Sequence, residues 1–300
     1  MRQSRSANSL NSTCADPPAT RAVMDSLVST RWLADQLGAD DLVVLDATMH
    51  LPDNSRDAAA EYAAAHVPGA RWLDLASFVD TGSPVPKAVP TAEQFADRLG
   101  HLGITPESRV ILYDDSQIKS AARAWFVFRL YGFAKVAILD GGLAKWKAEG
   151  RALEAGQTPV TPSEFPIPTR RPGTRSKADI LANCDQRAEQ VVDARDAARF
   201  AGEEGSGSAG HIPGAGNVPF PLLFAADGTY RAPDEIAAIF AEAGVALERP
   251  VVTSCNSGMT AAVLAFGLHL AGNEDVALYD GSWLEWGSDP DTPKQQGAAR

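Results

Sequence analysis

The chain has 300 residues, 45% hydrophobic and 22% charged, with 25 Gly and 20 Pro, the profile of an ordinary globular protein of about two domains. Its 27 Lys and Arg against 38 Asp and Glu leave a net charge of −11, which opposes binding to nucleic acid or anionic lipid. No apolar run approaches the roughly 20 residues of a membrane span, and three scattered cysteines, Cys14, Cys184 and Cys255, support neither a disulfide framework nor a structural zinc site.

A reducing, cytoplasmic location is therefore expected. Residues 1–23 carry Arg2, Arg5 and Arg21 among Ser, Asn and Thr, lack the apolar stretch of a secretory signal, and read as a disordered extension. An N-terminal domain follows over 24–150. Its runs VVLDA (43–47) and VILYD (110–114) are short, rich in β-branched residues and unalternating, as in strands buried on both faces of a parallel sheet. TAEQFADRLGHLG (91–103) has a helical apolar stripe, an acidic first turn and a closing Gly. Over 151–177, Pro159, Pro162, Pro166, Pro168 and Pro172 exclude helix and predict an extended linker. The pattern then resumes, with strands at VVDAR (191–195) and VVTS (251–254) and helices at APDEIAAIFAEAG (232–244) and TAAVLAFGLHLAG (260–272). A second domain is placed at 178–290 and a tail at 291–300.

The two stretches are copies. Residues 108–146 lie on residues 248–286 without a gap at an offset of 140, and VVLDAT and HVPGA at 43–48 and 66–70 correspond to VVDARD and HIPGA at 191–196 and 211–215. The predicted fold class is α/β: tandem domains, each a mainly parallel sheet flanked by helices, joined by the Pro-rich linker.

Cys255 falls at the C-terminal end of a buried strand, before a tight turn into a helix, the place where open α/β sheets bind ligands. Loop amides and a helix N-terminus there stabilise an anion, and thiolate is the nucleophilic form of cysteine. The other copy has Asp115 at this position, so one copy retains a thiol that the other lacks. No His pair has ligand spacing, so neither a metal nor a cofactor is expected. His66 and His211 open a chain-reversing turn and read as structural. Trp125, Trp146, Trp283 and Trp286 read as core and interface anchors.

The tandem HVPGA and HIPGA motifs, the VVDAR strand, the loop CNSGMTA and the closing YDGSWLEWG resemble the two-domain rhodaneses and 3-mercaptopyruvate sulfurtransferases over about residues 27–290. The resemblance implies two rhodanese-fold domains and an active-site Cys255 that takes a sulfane sulfur from a small anionic donor as a persulfide. It then passes the sulfur to a thiol or cyanide, a thioredoxin-like reductant being one such thiol, while the first domain closes the cleft. Members specialised for thiosulfate tend to carry two cations after the Cys, whereas Asn256, Ser257 and Gly258 here are neutral and lean to mercaptopyruvate. The loop residues Asn256, Ser257, Gly258, Met259 and Thr260 are the expected substrate contacts. Ser257 polarises or protonates the donor, and Gly258 permits the turn.

Arg199 corresponds to the family's substrate-binding Arg, and its guanidinium suits a carboxylate or sulfonate. Arg195 is expected to bind or to brace the pocket. The second substrate-binding Arg of the mercaptopyruvate enzymes is missing from GEEGSGSAG (202–210), and the acid and base that follow the first HxPG motif are replaced by Ala76 and Lys87. Lys87 is expected to supply a compensating charge at the cleft mouth. Two half-reactions with ping-pong kinetics follow from this scheme. Two alternatives are a thiosulfate sulfurtransferase proper and a non-catalytic sulfur-carrier or binding module. A cysteine phosphatase needs an Arg six residues after the Cys, where Ala261 stands.

Overall fold

The computed structural model describes residues 24–299 apart from Asp53. The disordered extension expected at 1–23 lies outside the described residues. Each copy builds a five-stranded sheet in which every pairing is parallel. In the first half, β1 (Leu27–Val28), β5 (Val136–Leu139), β4 (Arg109–Tyr113), β2 (Leu42–Asp46) and β3 (Arg71–Trp72) lie side by side in that order. In the second the order is β6 (Thr174–Arg175), β10 (Val276–Tyr279), β9 (Val251–Ser254), β7 (Gln190–Asp193) and β8 (Gly216–Asn217). The central strands β4 and β9 are buried along almost their whole length, which explains their unalternating apolar sequence. From β7 the chain moves to one edge and from β9 to the other, so the C-terminal ends of these neighbours bound a crevice at the topological switch point.

Helices cover both faces. The first half has α1 (Thr30–Gln36), α2 (Ala58–Ala64), α3 (Ala92–His101), α4 (Ala121–Leu130) and α5 (Gly142–Ala148). The second has α6 (Lys177–Gln186), α7 (Ala197–Ala201), α8 (Pro233–Glu242), α9 (Met259–Leu270) and α10 (Ser282–Ser288). Helices α4 and α9 are buried on nearly every face, because each packs on its own sheet on one side and on the other helix on the opposite side. Trp125 of α4 meets Phe266 of α9 edge to face at 4.8 Å between ring centroids. One apolar cluster consequently runs through both halves.

Two boundaries differ from those read off the sequence. Residues 174–177, assigned to the linker, hold β6 and the start of α6, because Thr174 and Arg175 complete the sheet edge beside β10. The residues expected as a tail belong to the second half: Gln295 exchanges backbone hydrogen bonds with His211, and Trp286 Nε1 donates to the Pro293 carbonyl. The first half does the same, with Glu154 against His66 and Trp146 Nε1 donating to the Ala152 carbonyl. Between them the Pro-rich strap runs extended along the first half, tied by Ser163 N–H to the Gly100 carbonyl and by Arg171 N–H to the Leu130 carbonyl.

Candidate active site

Strand β9 delivers Cys255 at its C-terminal end, and the residues Cys255–Gly258 turn directly into α9. Gly258 is the N-cap of that helix at φ +75°, a left-handed conformation that favours glycine, and a Cβ there would lie 3.0 Å from the Asp280 carbonyl. The loop is held from below by the start of α10. Ser282 Oγ accepts hydrogen bonds from Cys255 N–H (3.2 Å) and Gly258 N–H (3.1 Å) and donates to the Tyr279 carbonyl (2.8 Å). The amides of Trp283 and Leu284 donate to the carbonyls of Cys255 and Asn256, at 3.0 and 2.8 Å. The amides of Asn256 and Ser257 find no acceptor among the described residues, and the first-turn amides of α9 lack intrahelical partners. A turn whose first two carbonyls and end amides are tied, with its central amides unspent, is suited to hold an anion.

Cys255 itself is only 1% exposed, with Ser257 and Met259 also buried, Thr260 half-buried and Asn256 exposed. The sulfur thus lies at the floor of the turn, almost out of contact with solvent. Cys184, the other described cysteine, is half-buried on α6, and burial pushes its thiol up.

A buried ion pair crosses between the halves beside this loop. Arg123 of α4 donates from Nη2 to Asp280 Oδ1 (2.7 Å) and to the Lys87 carbonyl (2.9 Å), and from Nη1 to the Gly258 carbonyl (3.4 Å). The other Asp280 oxygen accepts from Val89 N–H at 2.7 Å. The first half thus presses its 80–90 loop, carrying Lys87, onto the Cys255 turn. Lys87 adopts φ +58° and is half-buried, and its ammonium makes no ion pair among the described residues.

Arg195 is placed as a brace rather than as a substrate contact. It is buried, with Nε and Nη2 on Asp193, Nη1 on Ser208 Oγ and Nη2 also on the Gly210 carbonyl, and it stacks 4.5 Å over the Trp283 ring. The physical reason is Asp193: its carboxyl is fully buried at the end of β7 and needs a charged partner there. Arg199 stands on α7 with its Nε on Asp196 Oδ2 (2.5 Å), and its side chain is 46% exposed. Its Nη groups have no partner among the described residues. Among the described residues no hydrogen bond or ion pair joins it to the Cys255 turn.

His66 and His211 are structural. Each places Nδ1 on a carbonyl of the preceding helix, that of Tyr62 or Phe200 at 2.8 Å, and stacks on the same residue's ring. In the first half the place of Cys255 is taken by Asp115, whose carboxylate meets Arg56 at 3.1 Å and Lys147 at 3.8 Å.

Ser282, Asp280 and Arg123 lie outside the residues expected from the sequence, although the sequence carries a signal for Ser282 and one for Arg123. Ser282 occupies a left-handed position (φ +48°) where the first copy has Gly142 (φ +57°). A serine accepting that conformation marks a hydroxyl in use. Arg123 is a lone charge near the start of an otherwise apolar run, AARAWFVF.

The fold and the cysteine turn define a class of protein. The rhodanese-like domain family matches at residues 29–149 and again at 176–289, and the chain belongs to this family. Among its relatives, rat 3-mercaptopyruvate sulfurtransferase is 40% identical over 271 residues, covering 87% of this chain and 91% of the relative. Rat thiosulfate sulfurtransferase is 36% identical over 285 residues, covering 91% and 96%. Among solved structures, SseA from Escherichia coli, described as a 3-mercaptopyruvate sulfotransferase, superimposes with a TM-score of 0.78 at 37% identity over 87% of this chain and 99% of that one.

Proposed function

We propose that the sulfurtransferase activity of this chain draws on 3-mercaptopyruvate in preference to thiosulfate, with Cys255 as the carrier of the sulfur. The chain is an enzyme of the sulfurtransferase class. The observation that carries the donor reading is the neutral turn: Asn256, Ser257 and Gly258 place no cation after the cysteine, and the only hydroxyl among them belongs to the buried Ser257.

In the first half-reaction the Cys255 thiolate attacks the donor sulfur. The carbon–sulfur bond breaks, its electron pair moves into the pyruvate enolate, and the enolate takes a proton to leave as pyruvate. The unspent amides of Asn256 and Ser257 hold the resulting persulfide anion. Ser257 Oγ–H donates to the donor's carbonyl or carboxylate, and the Nη groups of Arg199 and the ammonium of Lys87 bind its anionic end. In the second half-reaction a thiol or cyanide takes the outer sulfur and restores the thiolate. Among protein acceptors, a thioredoxin-like dithiol reduces the persulfide and releases the sulfur as sulfide.

The test is a comparison of pyruvate released from 3-mercaptopyruvate with sulfite released from thiosulfate under the same acceptor. We expect kcat/KM for mercaptopyruvate to exceed that for thiosulfate by about tenfold or more, the Ser257 hydrogen bond and the missing loop cations each being worth about 1 kcal/mol. Equal values, or a preference for thiosulfate, would overturn the donor assignment.

A further inference from the structure

We infer that Arg123 and Asp280 are positioning residues of the transfer reaction: their ion pair sets the Cys255 turn and the Lys87 loop in register with each other across the domain interface.

The duplication provides the argument. In both copies the strand before the last helix ends in Asp-Gly, at 140–141 and at 280–281. Each Asp reaches across to the other half and caps an amide shortly before a helix: Asp280 takes Val89 N–H (2.7 Å), and Asp140 takes Tyr230 N–H (2.8 Å). To this point the two sides of the interface are alike and need no functional reading. They part at one residue. Arg123 supplies Asp280 with a guanidinium, whereas the residue at the duplicate position of Arg123 is Val263, and no guanidinium bonds to Asp140 among the described residues.

That guanidinium appears only on the side that holds the cysteine. Its reach goes beyond the carboxylate, to the carbonyl of Gly258, which opens α9, and to the carbonyl of Lys87, which sits in a left-handed conformation uncommon for a lysine. The pair is almost solvent-free, with side-chain exposures of 4% for Arg123 and 12% for Asp280. One planar fork therefore fixes three acceptors from both walls of the cleft, a geometry that an ammonium does not reproduce. Among the described residues neither side chain hydrogen-bonds to Cys255, so the pair acts through the turn and the loop that it holds.

The inference rests on the persulfide reading above, and the experiment separates the two. In the full chain, Arg123→Lys, Asp280→Asn and Asp140→Asn are compared by thermal unfolding, by the stoichiometry of sulfur loaded on Cys255, and by kcat and KM for 3-mercaptopyruvate per loaded site. Asp140→Asn removes the matching charge on the far side and is the control for a change at the interface alone. We expect its kcat to stay within about twofold, whatever the shift in its unfolding midpoint, and the other two variants to lower kcat by about tenfold with a smaller change in KM. Should Arg123→Lys not fold, the contrast between Asp280→Asn and Asp140→Asn decides alone, since each asparagine keeps an oxygen for its amide. Unchanged kcat in Asp280→Asn, or an equal loss in Asp140→Asn, would overturn the inference and leave the persulfide reading standing. A wild-type chain that loads no sulfur would overturn both.

Discussion

At the scale of single residues, the chemistry depends on how a serine hydroxyl is spent. Ser282 Oγ takes two amide hydrogens, those of Cys255 and Gly258, and both ends of the cysteine turn hang from it. Ser282→Ala leaves two buried amides without an acceptor, each worth about 1 kcal/mol. The expected result is a loss of about 2 kcal/mol in urea unfolding together with about a tenfold fall in the rate of sulfur loading. A variant that unfolds earlier but loads at the wild-type rate would show that the hydroxyl supports the fold alone. Cys255, Ser257 and Gly258 could be recognised in the sequence because each residue type carries its chemistry with it: a thiol at a strand end, a hydroxyl, a glycine at a turn. For Arg195 the sequence leaves binding and bracing both open: Asp193 lies only two residues away and Ser208 and Gly210 only 13 and 15, and what the sequence does not carry is the burial that commits the guanidinium to them. Asp280, Arg123 and Ser282 are not legible for a different reason, separation along the chain: their partners lie 157 and 24–27 residues away.

At the scale of elements, helix α9 has two tasks, opening at the cysteine turn and closing the molecule against α4. Trp125 bears on its second task, edge to face with Phe266 and 4% exposed. Trp125→Ala opens a cavity at the joint and is expected to cost about 3–5 kcal/mol, read as a lower urea midpoint without a change in the urea dependence of the folded arm. A loss under about 1 kcal/mol would mean that the interface collapses over the gap. Most elements could be read from the sequence. The expected helix at 91–103 is α3 (Ala92–His101), that at 232–244 is α8 (Pro233–Glu242), that at 260–272 is α9 (Met259–Leu270), and VVTS is β9. These segments carry their own periodicity, apolar runs and end signals. Strand β6 and residues 291–299 could not be read in that way, because a two-residue edge strand and a clasping segment have no periodicity of their own. They are defined by the partners β10 and His211.

At the scale of the whole molecule, the duplication has left the halves unequal in charge as well as in chemistry. Asp193 at the end of β7 has Arg195, whereas its counterpart Asp46 at the end of β2 is followed by Thr48, which donates to it from both N–H and Oγ. Burial without a cation pushes the Asp46 carboxyl up from 3.8 to about 6. The folded chain therefore holds that proton more tightly than the unfolded chain. The cost of ionising Asp46 is absent below pH 3.8, develops between pH 3.8 and about 6, and is complete above that. Asp46→Asn should stabilise the protein at pH 8 by on the order of 2–3 kcal/mol and change little at pH 4, as measured by urea unfolding at the two values. A gain of the same size at both would remove the ionisation argument. Among the described residues no helix is long and apolar enough to cross a membrane, and the one crevice at a topological switch point that also holds a thiol is the one ending at Cys255.

Everything claimed for function passes through the sulfur of that residue, held by a turn whose outer contacts are filled and whose central amides are not. Intact mass spectrometry after incubation with 3-mercaptopyruvate tests it most directly. The wild-type chain should gain about 32 Da, one sulfur atom, lose it again on addition of cyanide, and show no gain in Cys255→Ser. A wild-type chain that stays unchanged in mass, or a Cys255→Ser chain that still gains it, would contradict the assignment.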